Sequence, residues 1–183
     1  KIKWITNFKR LNKYPCIFLA NEFFDAIPIK QFLKNRNNWF ERYVCLSSNK
    51  KAKFVNKKIN LREIEKKINF KVSEKQNFIE YSPLGFKYLK DIFSFIKRND
   101  GGLLIIDYGY FSEKMKDTLQ AIYKKKYSRV LENIGYSDIT HNINYYFIKK
   151  IAKNFKKLNI NFTSQKKFLT NLGIYQRAEI ISK

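Results

Sequence analysis

The stretch Cys16-Ile17-Phe18-Leu19-Ala20-Asn21-Glu22-Phe23-Phe24-Asp25-Ala26 joins an apolar run to a loop that carries two acids. Residues 16–20 form a run of strand length without polar alternation, which predicts a strand buried on both faces, as in a parallel sheet. Residues 21–29 then form a loop or a short helical turn that is stopped by Pro28. This stretch therefore favours an α/β fold.

A second apolar run, Leu103-Leu104-Ile105-Ile106, leads directly into Asp107-Tyr108-Gly109-Tyr110. It predicts a second buried strand whose carboxyl end carries an acid. Between the two runs, residues 32–58 alternate roughly and predict two or three antiparallel strands. The sequence thus predicts a parallel α/β sheet interrupted by an antiparallel insertion.

Apolar spacing and terminal residues mark the remaining elements. Ser82 can cap a helix whose first position is Pro83, and Lys97-Arg98 suits the carboxyl end of that helix. The other predicted elements are a short helix at 61–68, strands at 78–81 and 160–164, an amphipathic helix at 143–157, a helix at 165–172 with Gly173 as C-cap, and a helix end or final strand at 177–181.

Two loops are candidates for a ligand site because open α/β sheets bind ligands outside the carboxyl ends of their strands. They are residues 21–25 and 107–109. In a helical turn Glu22 and Asp25 would share a face, and a guanidinium between them would satisfy both with planar, bidentate bonds. The plainer alternative is that Asp107 caps a turn with Gly109 and Asn21 bonds its own loop.

The composition is strongly basic, with 38 Lys and Arg against 15 Asp and Glu and a net charge of +23. Such a field attracts polyanions. The basic residues are spread along the chain, however, and Lys, Asn, Ile, Phe and Tyr all have AT-rich codons. Compositional drift is therefore favoured over a specific nucleic-acid partner.

Other functional classes have weak support. No apolar run approaches the roughly 20 residues of a membrane-spanning helix. Cys16 and Cys45 lack C-x-x-C spacing, which predicts buried free thiols in a reducing compartment. With His141 as the only histidine, no metal site is expected.

An ordered set of motifs runs along nearly the whole chain. It consists of Phe18-Leu19-Ala20-Asn21-Glu22-Phe23-Phe24-Asp25-Ala26-Ile27-Pro28-Ile29-Lys30-Gln31-Phe32, Trp39-Phe40-Glu41-Arg42, Glu80-Tyr81-Ser82-Pro83, Gly101-Gly102 with Ile106-Asp107-Tyr108-Gly109, Thr118-Leu119-Gln120-Ala121, Asp138-Ile139-Thr140, and Thr163-Ser164-Gln165 with Phe168-Leu169. In this order the motifs resemble the MidA-like family of class I S-adenosylmethionine-dependent methyltransferases. The mitochondrial member of that family is a complex I assembly factor that methylates an arginine of a core subunit.

The resemblance implies a partial class I (seven-stranded, doubly wound) methyltransferase sheet. Residues 16–20 would be strand four, 103–106 strand five, and 33–80 an inserted β-rich segment. Residues 1–183 would then be the C-terminal part of one methyltransferase domain. Because strands one to three and a glycine-rich cofactor loop are not found in the sequence, this part alone is expected to be inactive.

The resemblance also implies the cofactor S-adenosyl-L-methionine and assigns roles to residues. Glu22 would be the catalytic carboxylate that grips two guanidinium nitrogens, with Asp25 assisting. The other assignments are Asn21 and Asp107 for the cofactor, and Tyr108, Gly109, Asp138 and Thr140 for the substrate.

The expected partner is a protein substrate, a complex I core subunit or its bacterial counterpart, and a homodimer is left open. The AT-rich composition favours the cytoplasm of a bacterium, with the mitochondrial matrix as the alternative. Two other functions stay open: a non-catalytic assembly or binding protein, and a basic RNA-binding module.

Overall fold

A computed structural model describes residues 2–6, 8–11, 13–155 and 158–182. Its elements in chain order are a 3₁₀ turn (Phe8–Arg10), β1 (Cys16–Asn21), β2 (Lys30–Asn35), β3 (Asn38–Leu46), β4 (Ala52–Ile59), α1 (Leu61–Ile68), β5 (Phe78–Tyr81), α2 (Pro83–Asn99), β6 (Gly101–Ile106), β7 (Gly109–Tyr110), β8 (Gln120–Tyr123), β9 (Lys126–Ser128), β10 (Asp138–Thr140), β11 (Ile143–Asn144), α3 (Tyr145–Lys153), α4 (Gln165–Asn171) and α5 (Ile174–Ile181).

The two apolar runs form a parallel pair of strands. β1 and β6 are in register from Cys16 opposite Gly101 to Asn21 opposite Ile106. Parallel strands need a long crossover, and here it contains α2, which begins as predicted: the Ser82 hydroxyl accepts the N–H of Gly85 at 2.9 Å. Both predicted strands are thus confirmed, and their carboxyl ends lie side by side.

The prediction that the first strand is buried on both faces is wrong, and β6, predicted as a second buried strand, has no fully buried residue. Phe18 and Ala20 point to the side of α2, where the rings of Phe18 and Phe95 are 5.5 Å apart. Ile17 and Leu19 point the other way and are 80% and 69% exposed. The reason is that no described element packs over these two side chains.

A four-stranded antiparallel sheet lies between β1 and β6 in the chain. Its strand order is β4-β3-β2-β5, so residues 32–58 supply three strands and 78–81 the fourth, as predicted. Phe32 and Ile79 face each other across β2 and β5 and are fully buried. They join one core with side chains of α2 and α3, including Phe86, Leu89, Phe93, Ile148, Ile151 and Ala152.

The C-terminal third differs from the prediction in several places, the first of which is that β8, β9 and β10 form where no strand was predicted. Residues 143–144 form β11, which pairs with β7, so α3 begins at Tyr145 rather than at residue 143. Of the predicted helix 143–157, Lys156 and Lys157 lie outside the described residues. Residues 160–164 form no strand, because Phe162 packs against the rings of Phe111 and Tyr145 instead of pairing along a strand.

The end of the chain is helical. The prediction of a helix at 165–172 is confirmed by α4, and Gly173 follows it with a φ of 83°. For 177–181, the helical alternative is correct, since these residues belong to α5.

The α/β class is confirmed. The described strands do not form one sheet of seven strands but four separate sheets, ordered β1-β6, β10-β8-β9, β11-β7 and β4-β3-β2-β5. None of the helices in the described ranges is both long enough and apolar enough to span a membrane.

Gly101 is expected to be essential for the parallel pair. Its φ is 115°, and a Cβ there would lie 2.0 Å from the carbonyl oxygen of Cys16. Gly101→Ala should therefore separate β1 from β6 and lower the free energy of unfolding by about 3 kcal/mol or more in urea denaturation.

Gly135→Ala is the matched control. Gly135 also has a positive φ, 84°, but apart from its chain neighbours no described residue comes within 4 Å of the added Cβ. Only the backbone penalty of about 1 kcal/mol is expected there. Equal losses in the two variants would contradict the close contact at Gly101.

Candidate active site

A cavity of about 210 Å³ lies at the carboxyl ends of β1 and β6. This is the position that the strand-end rule selects in α/β sheets. We call it the strand-end cavity; it is lined by Asn21, Glu22, Leu104, Ile105, Ile106, Asp107, Tyr108, Tyr145, Thr163, Gln165, Phe168 and Leu169. Its floor is apolar, and its polar groups come from the ends of the two strands and from the segment that leads into α4.

Glu22 is placed at this cavity by an unusual backbone conformation. Its φ is 44°, in the left-handed region that residues other than glycine rarely adopt. The chain can turn sharply here because the N–H of Glu22 donates to the carbonyl oxygen of Ile106 at 2.9 Å. Its side chain remains exposed, so the carboxylate is free to meet a ligand.

Asp107 links the loops that follow β1 and β6. Its Oδ2 accepts the N–H groups of Phe24 at 3.0 Å and Asp25 at 3.3 Å, while Oδ1 accepts the N–H of Tyr108 at 2.9 Å. The Tyr145 hydroxyl donates to the carbonyl oxygen of Asp107 at 2.8 Å. Asp107 thus fixes the shape of the first loop as well as lining the strand-end cavity.

Burial and neighbouring charge change the acidity of these groups. Burial, followed by the charge of Asp25, raises the pKa of Asp107, and the three N–H donors act against that rise. Burial and the nearby Asp107 raise the pKa of the Tyr145 hydroxyl to about 12. Tyr145 therefore stays protonated at neutral pH and serves as a hydrogen-bond donor.

Asp25 is buried and does not line the strand-end cavity. Its carbonyl oxygen accepts the N–H of His141 at 3.0 Å, while its Oδ1 has no hydrogen-bond partner among the described residues. Residues 21–25 form the loop alternative rather than a helical turn, so Glu22 and Asp25 do not share a face. The structure therefore separates the two acids that were expected to grip one cation.

The predicted substrate residues are also divided. Tyr108 lines the strand-end cavity with 62% of its surface exposed. Gly109 starts β7, where a Cβ would lie 2.4 Å from the carbonyl oxygen of Ile143. Asp138 and Thr140 lie on β10, outside the cavity lining, and the Thr140 hydroxyl accepts from the Gln120 amide at 3.0 Å. The cavity thus brings together Asn21, Glu22, Asp107 and Tyr108.

Part of the lining had no role assigned from the sequence. Nothing in the sequence marks Tyr145 as a site residue, because its position is typical of an amphipathic helix. Gln165, Phe168 and Leu169 belong to a recognisable motif, but a motif alone does not show that α4 reaches the strand ends. Only the folded chain places these side chains opposite Glu22 and Asp107.

A buried network supports the same loops from the antiparallel sheet. The Glu80 carboxylate is buried, accepts from the Gln31 amide at 2.6 Å and is hydrogen-bonded to the hydroxyl of Thr118. The Thr118 hydroxyl oxygen also accepts the N–H of Asn142 at 2.9 Å, next to His141, which bonds to Asp25. The network therefore connects β2 and β5 with the loop that carries Glu22.

The charge of the strand-end cavity is opposite to that of the chain. Among the residues that the structure describes, its lining contains two carboxylates, Glu22 and Asp107, and no Lys, Arg or His, in a protein with a net charge of +23. Such a site favours a cationic ligand over an anionic one. Within the described ranges, no group of three or more His, Cys, Asp or Glu side chains could hold a metal ion.

Comparison with known proteins places the chain in a family. A model of S-adenosyl-L-methionine-dependent methyltransferases matches residues 1–163. The chain belongs to this methyltransferase family, whose cofactor is S-adenosyl-L-methionine.

Curated relatives carry the name "Protein arginine methyltransferase NDUFAF7, mitochondrial". The chain is 26% identical to the Danio rerio protein over 180 residues, which are 98% of this chain and 42% of that protein. It is 25% identical to the Homo sapiens protein over 182 residues, which are 98% of this chain and 40% of that protein. The chain thus spans about two fifths of the length of these relatives.

The fold also matches a solved structure. A protein from Burkholderia thailandensis that was crystallised with S-adenosyl-homocysteine superimposes on this chain with a TM-score of 0.72 at 19% sequence identity. The match covers 95% of this chain and 46% of that chain. At this identity the likeness supports the fold.

The described residues fit one end of the family's cofactor. The Asp107 carboxylate and the apolar floor of the strand-end cavity would suit the cationic, methyl-bearing sulfonium. The described part of the chain places no basic side chain in the cavity for the cofactor's carboxylate, and the cavity volume of about 210 Å³ is below the roughly 300 Å³ at which small-molecule pockets begin. The fit is therefore to the reacting end alone.

The role of Asp107 as a clamp can be tested by hydrogen exchange. Asp107→Asn keeps one acceptor oxygen and turns an NH₂ group toward the other N–H donors, so part of the clamp is lost. The amides of Phe24 or Tyr108 should then exchange about tenfold faster in NMR measurements. Asp138→Asn, on exposed β10, is the control and should leave both rates unchanged.

The raised pKa of Asp107 also predicts a pH dependence of stability. The folded protein binds this proton more tightly than the unfolded chain, whose ordinary Asp value is 3.8. The stabilising contribution is therefore complete below that value and is lost as the pH rises through the higher folded pKa.

Urea denaturation from about pH 4 to about pH 7 measures this contribution. In the native protein, the contribution of Asp107 to the free energy of unfolding should decline as the pH rises above the ordinary Asp value of 3.8. Asp107→Asn should remove that decline, while Asp138→Asn retains it. Identical pH profiles for the native protein and Asp107→Asn would contradict the raised pKa of Asp107.

Proposed function

We propose that this chain forms the acceptor side of an S-adenosyl-L-methionine-dependent protein-arginine N-methyltransferase. The observation that carries the proposal is the acidic strand-end cavity in a strongly basic chain. Arginine is always protonated and presents planar N–H donors that match a carboxylate. The names of the curated relatives support the same acceptor.

In this proposal Glu22 holds the acceptor. Its exposed carboxylate accepts two guanidinium N–H groups and draws the positive charge toward those nitrogens. S-Adenosyl-L-methionine would supply the methyl group on its sulfonium, and the third nitrogen would be placed to receive it. The S–C electron pair would stay on the departing thioether sulfur, and one guanidinium proton would leave through the Glu22 carboxylate to solvent. Catalysis then depends on positioning and electrostatics.

The other predicted residues have supporting roles in this proposal. Asn21 and Asp107 border the reacting end of the cofactor, and the hydrogen bonds of Asp107 hold Glu22 at the cavity. Asp25 orients the loop from the buried side. Tyr108 contacts the acceptor at the cavity mouth, whereas Gly109, Asp138 and Thr140 belong to the surface around it.

The proposed partner is a protein with an accessible arginine, a complex I core subunit or its bacterial counterpart. The composition supports the cytoplasm of a bacterium, and the names of the relatives support a mitochondrion. We propose that residues 1–183 are the C-terminal part of one methyltransferase domain.

The two competing functions make different predictions. A non-catalytic assembly protein needs the fold but not the Glu22 carboxylate. An RNA-binding module needs a concentrated basic surface, whereas Lys side chains occur on β4, α1, the turn from β8 to β9, α3 and α4. This wide distribution favours compositional drift.

The substitution Glu22→Gln tests the proposed function. It keeps the shape of the side chain but removes the charge that holds the guanidinium. In the protein at its natural length, kcat/KM for arginine methylation should fall by about 100-fold, because a charged hydrogen-bonded partner is lost. Methylarginine is measured by mass spectrometry, and cofactor binding by calorimetry should persist.

Glu132→Gln, outside the lining of the strand-end cavity, is the control and should keep full activity. If Glu22→Gln methylates as fast as the native protein, Glu22 is not the acceptor carboxylate. If, in addition, partner assembly fails in that variant, the assembly function is favoured.

A further inference from the structure

One wall of the strand-end cavity comes from the residues that lead into and form α4. Thr163 precedes the helix, and Gln165, Phe168 and Leu169 lie on it. The last three lie beyond residue 163, where the match to the family model ends. Although Gln165, Phe168 and Leu169 belong to one of the motifs that resemble the family, the sequence assigned them no role.

Aromatic packing fixes the position of this wall relative to the carboxylates. The ring of Phe162 lies 5.2 Å from that of Phe111 and 6.0 Å from that of Tyr145. Tyr145 in turn donates its hydroxyl hydrogen to the Asp107 carbonyl oxygen at 2.8 Å. The segment before α4 is thereby tied to the residue that clamps the Glu22 loop.

Phe168 is the aromatic ring on this wall. It is half-buried, lines the same cavity as Glu22 and Asp107, and has Leu169 beside it. A carboxylate hydrogen-bonds to the edge of a planar cation, so the two faces of the cation are open to contact with other side chains. An aromatic face binds a guanidinium by stacking and by attraction to the ring quadrupole, and it fits a tetrahedral ammonium less well.

We propose that Phe168 is a specificity-determining residue of the strand-end cavity, with its ring forming the face on which a planar guanidinium lies. This inference rests on the proposed function. It assigns the preference for guanidinium over ammonium to α4, whereas the Glu22 carboxylate attracts both cations.

Two small cations test the inference without the need for a cofactor or a protein acceptor. Methylguanidinium and methylammonium chloride are titrated into the protein at its natural length, and dissociation constants are measured by NMR at fixed ionic strength. The native protein should bind methylguanidinium about fivefold more tightly than methylammonium. Phe168→Leu should reduce this ratio to about one, and Phe168→Tyr should retain it.

Tyr175→Leu is the matched control, since Tyr175 is an exposed aromatic residue on α5 outside the cavity lining. It should keep the native ratio. Amide spectra of residues outside α4 show whether each variant is folded. The inference is overturned if the native protein binds neither cation, if it shows no preference, or if folded Phe168→Leu keeps the preference.

The same titration separates this inference from the proposed function. Glu22→Gln should weaken the binding of both cations by a similar factor and leave their ratio unchanged. If Glu22→Gln has no effect while Phe168→Leu abolishes the preference, the role of Glu22 fails and that of Phe168 stands. If Glu22→Gln weakens both and Phe168→Leu leaves the ratio intact, the reverse holds.

Discussion

The hydrogen bonds that Asp107 accepts from the backbone hold together the two loops at the end of the parallel strand pair. Phe24 and Asp25 are 83 and 82 residues away from Asp107 in the chain. Removing a carboxylate from water and placing it near Asp25 is unfavourable, and the three N–H donors offset that cost. Glu22 reaches the strand-end cavity because the loop that carries it has this fixed shape.

The antiparallel sheet supplies a second connection to the same loop. Gln31 on β2 and Glu80 on β5 are both buried and bonded to each other, and Thr118 continues the network toward Asn142. A buried polar network is stable only when its members are satisfied together, so these residues act as a unit. The sheet that the sequence marks as an insertion is therefore a support of the candidate site rather than an appendage.

Local patterns were sufficient to predict β1 to β6 and most helices, but not the short strands β7 to β11. The apolar runs at residues 16–20 and 103–106 form β1 and β6, and Ser82 caps α2. Predictions failed where distant contacts decide the conformation. The left-handed φ of Glu22 depends on its hydrogen bond to Ile106. Residues 160–164 form no strand because Phe162 packs against the rings of Phe111 and Tyr145.

The candidate site was predictable in location but not in detail. The strand-end rule selects Asn21, Glu22, Asp107 and Tyr108 from sequence order alone, because carboxyl ends of adjacent parallel strands meet at one edge. That rule says nothing about which side chain turns inward. Asp25 is three residues from Glu22 and yet buried beneath the loop, since the turn at Glu22 is not helical.

The contrast between a basic chain and an acidic cavity also limits how a cation can reach the site. A net charge of +23 repels an arginine-bearing substrate at long range. At physiological ionic strength, however, this repulsion is screened beyond about 8 Å. Within that distance the nearest charges dominate, and at the strand-end cavity these are Glu22 and Asp107. A cationic acceptor therefore meets attraction at the final approach, where the orientation of its reacting nitrogen is decided.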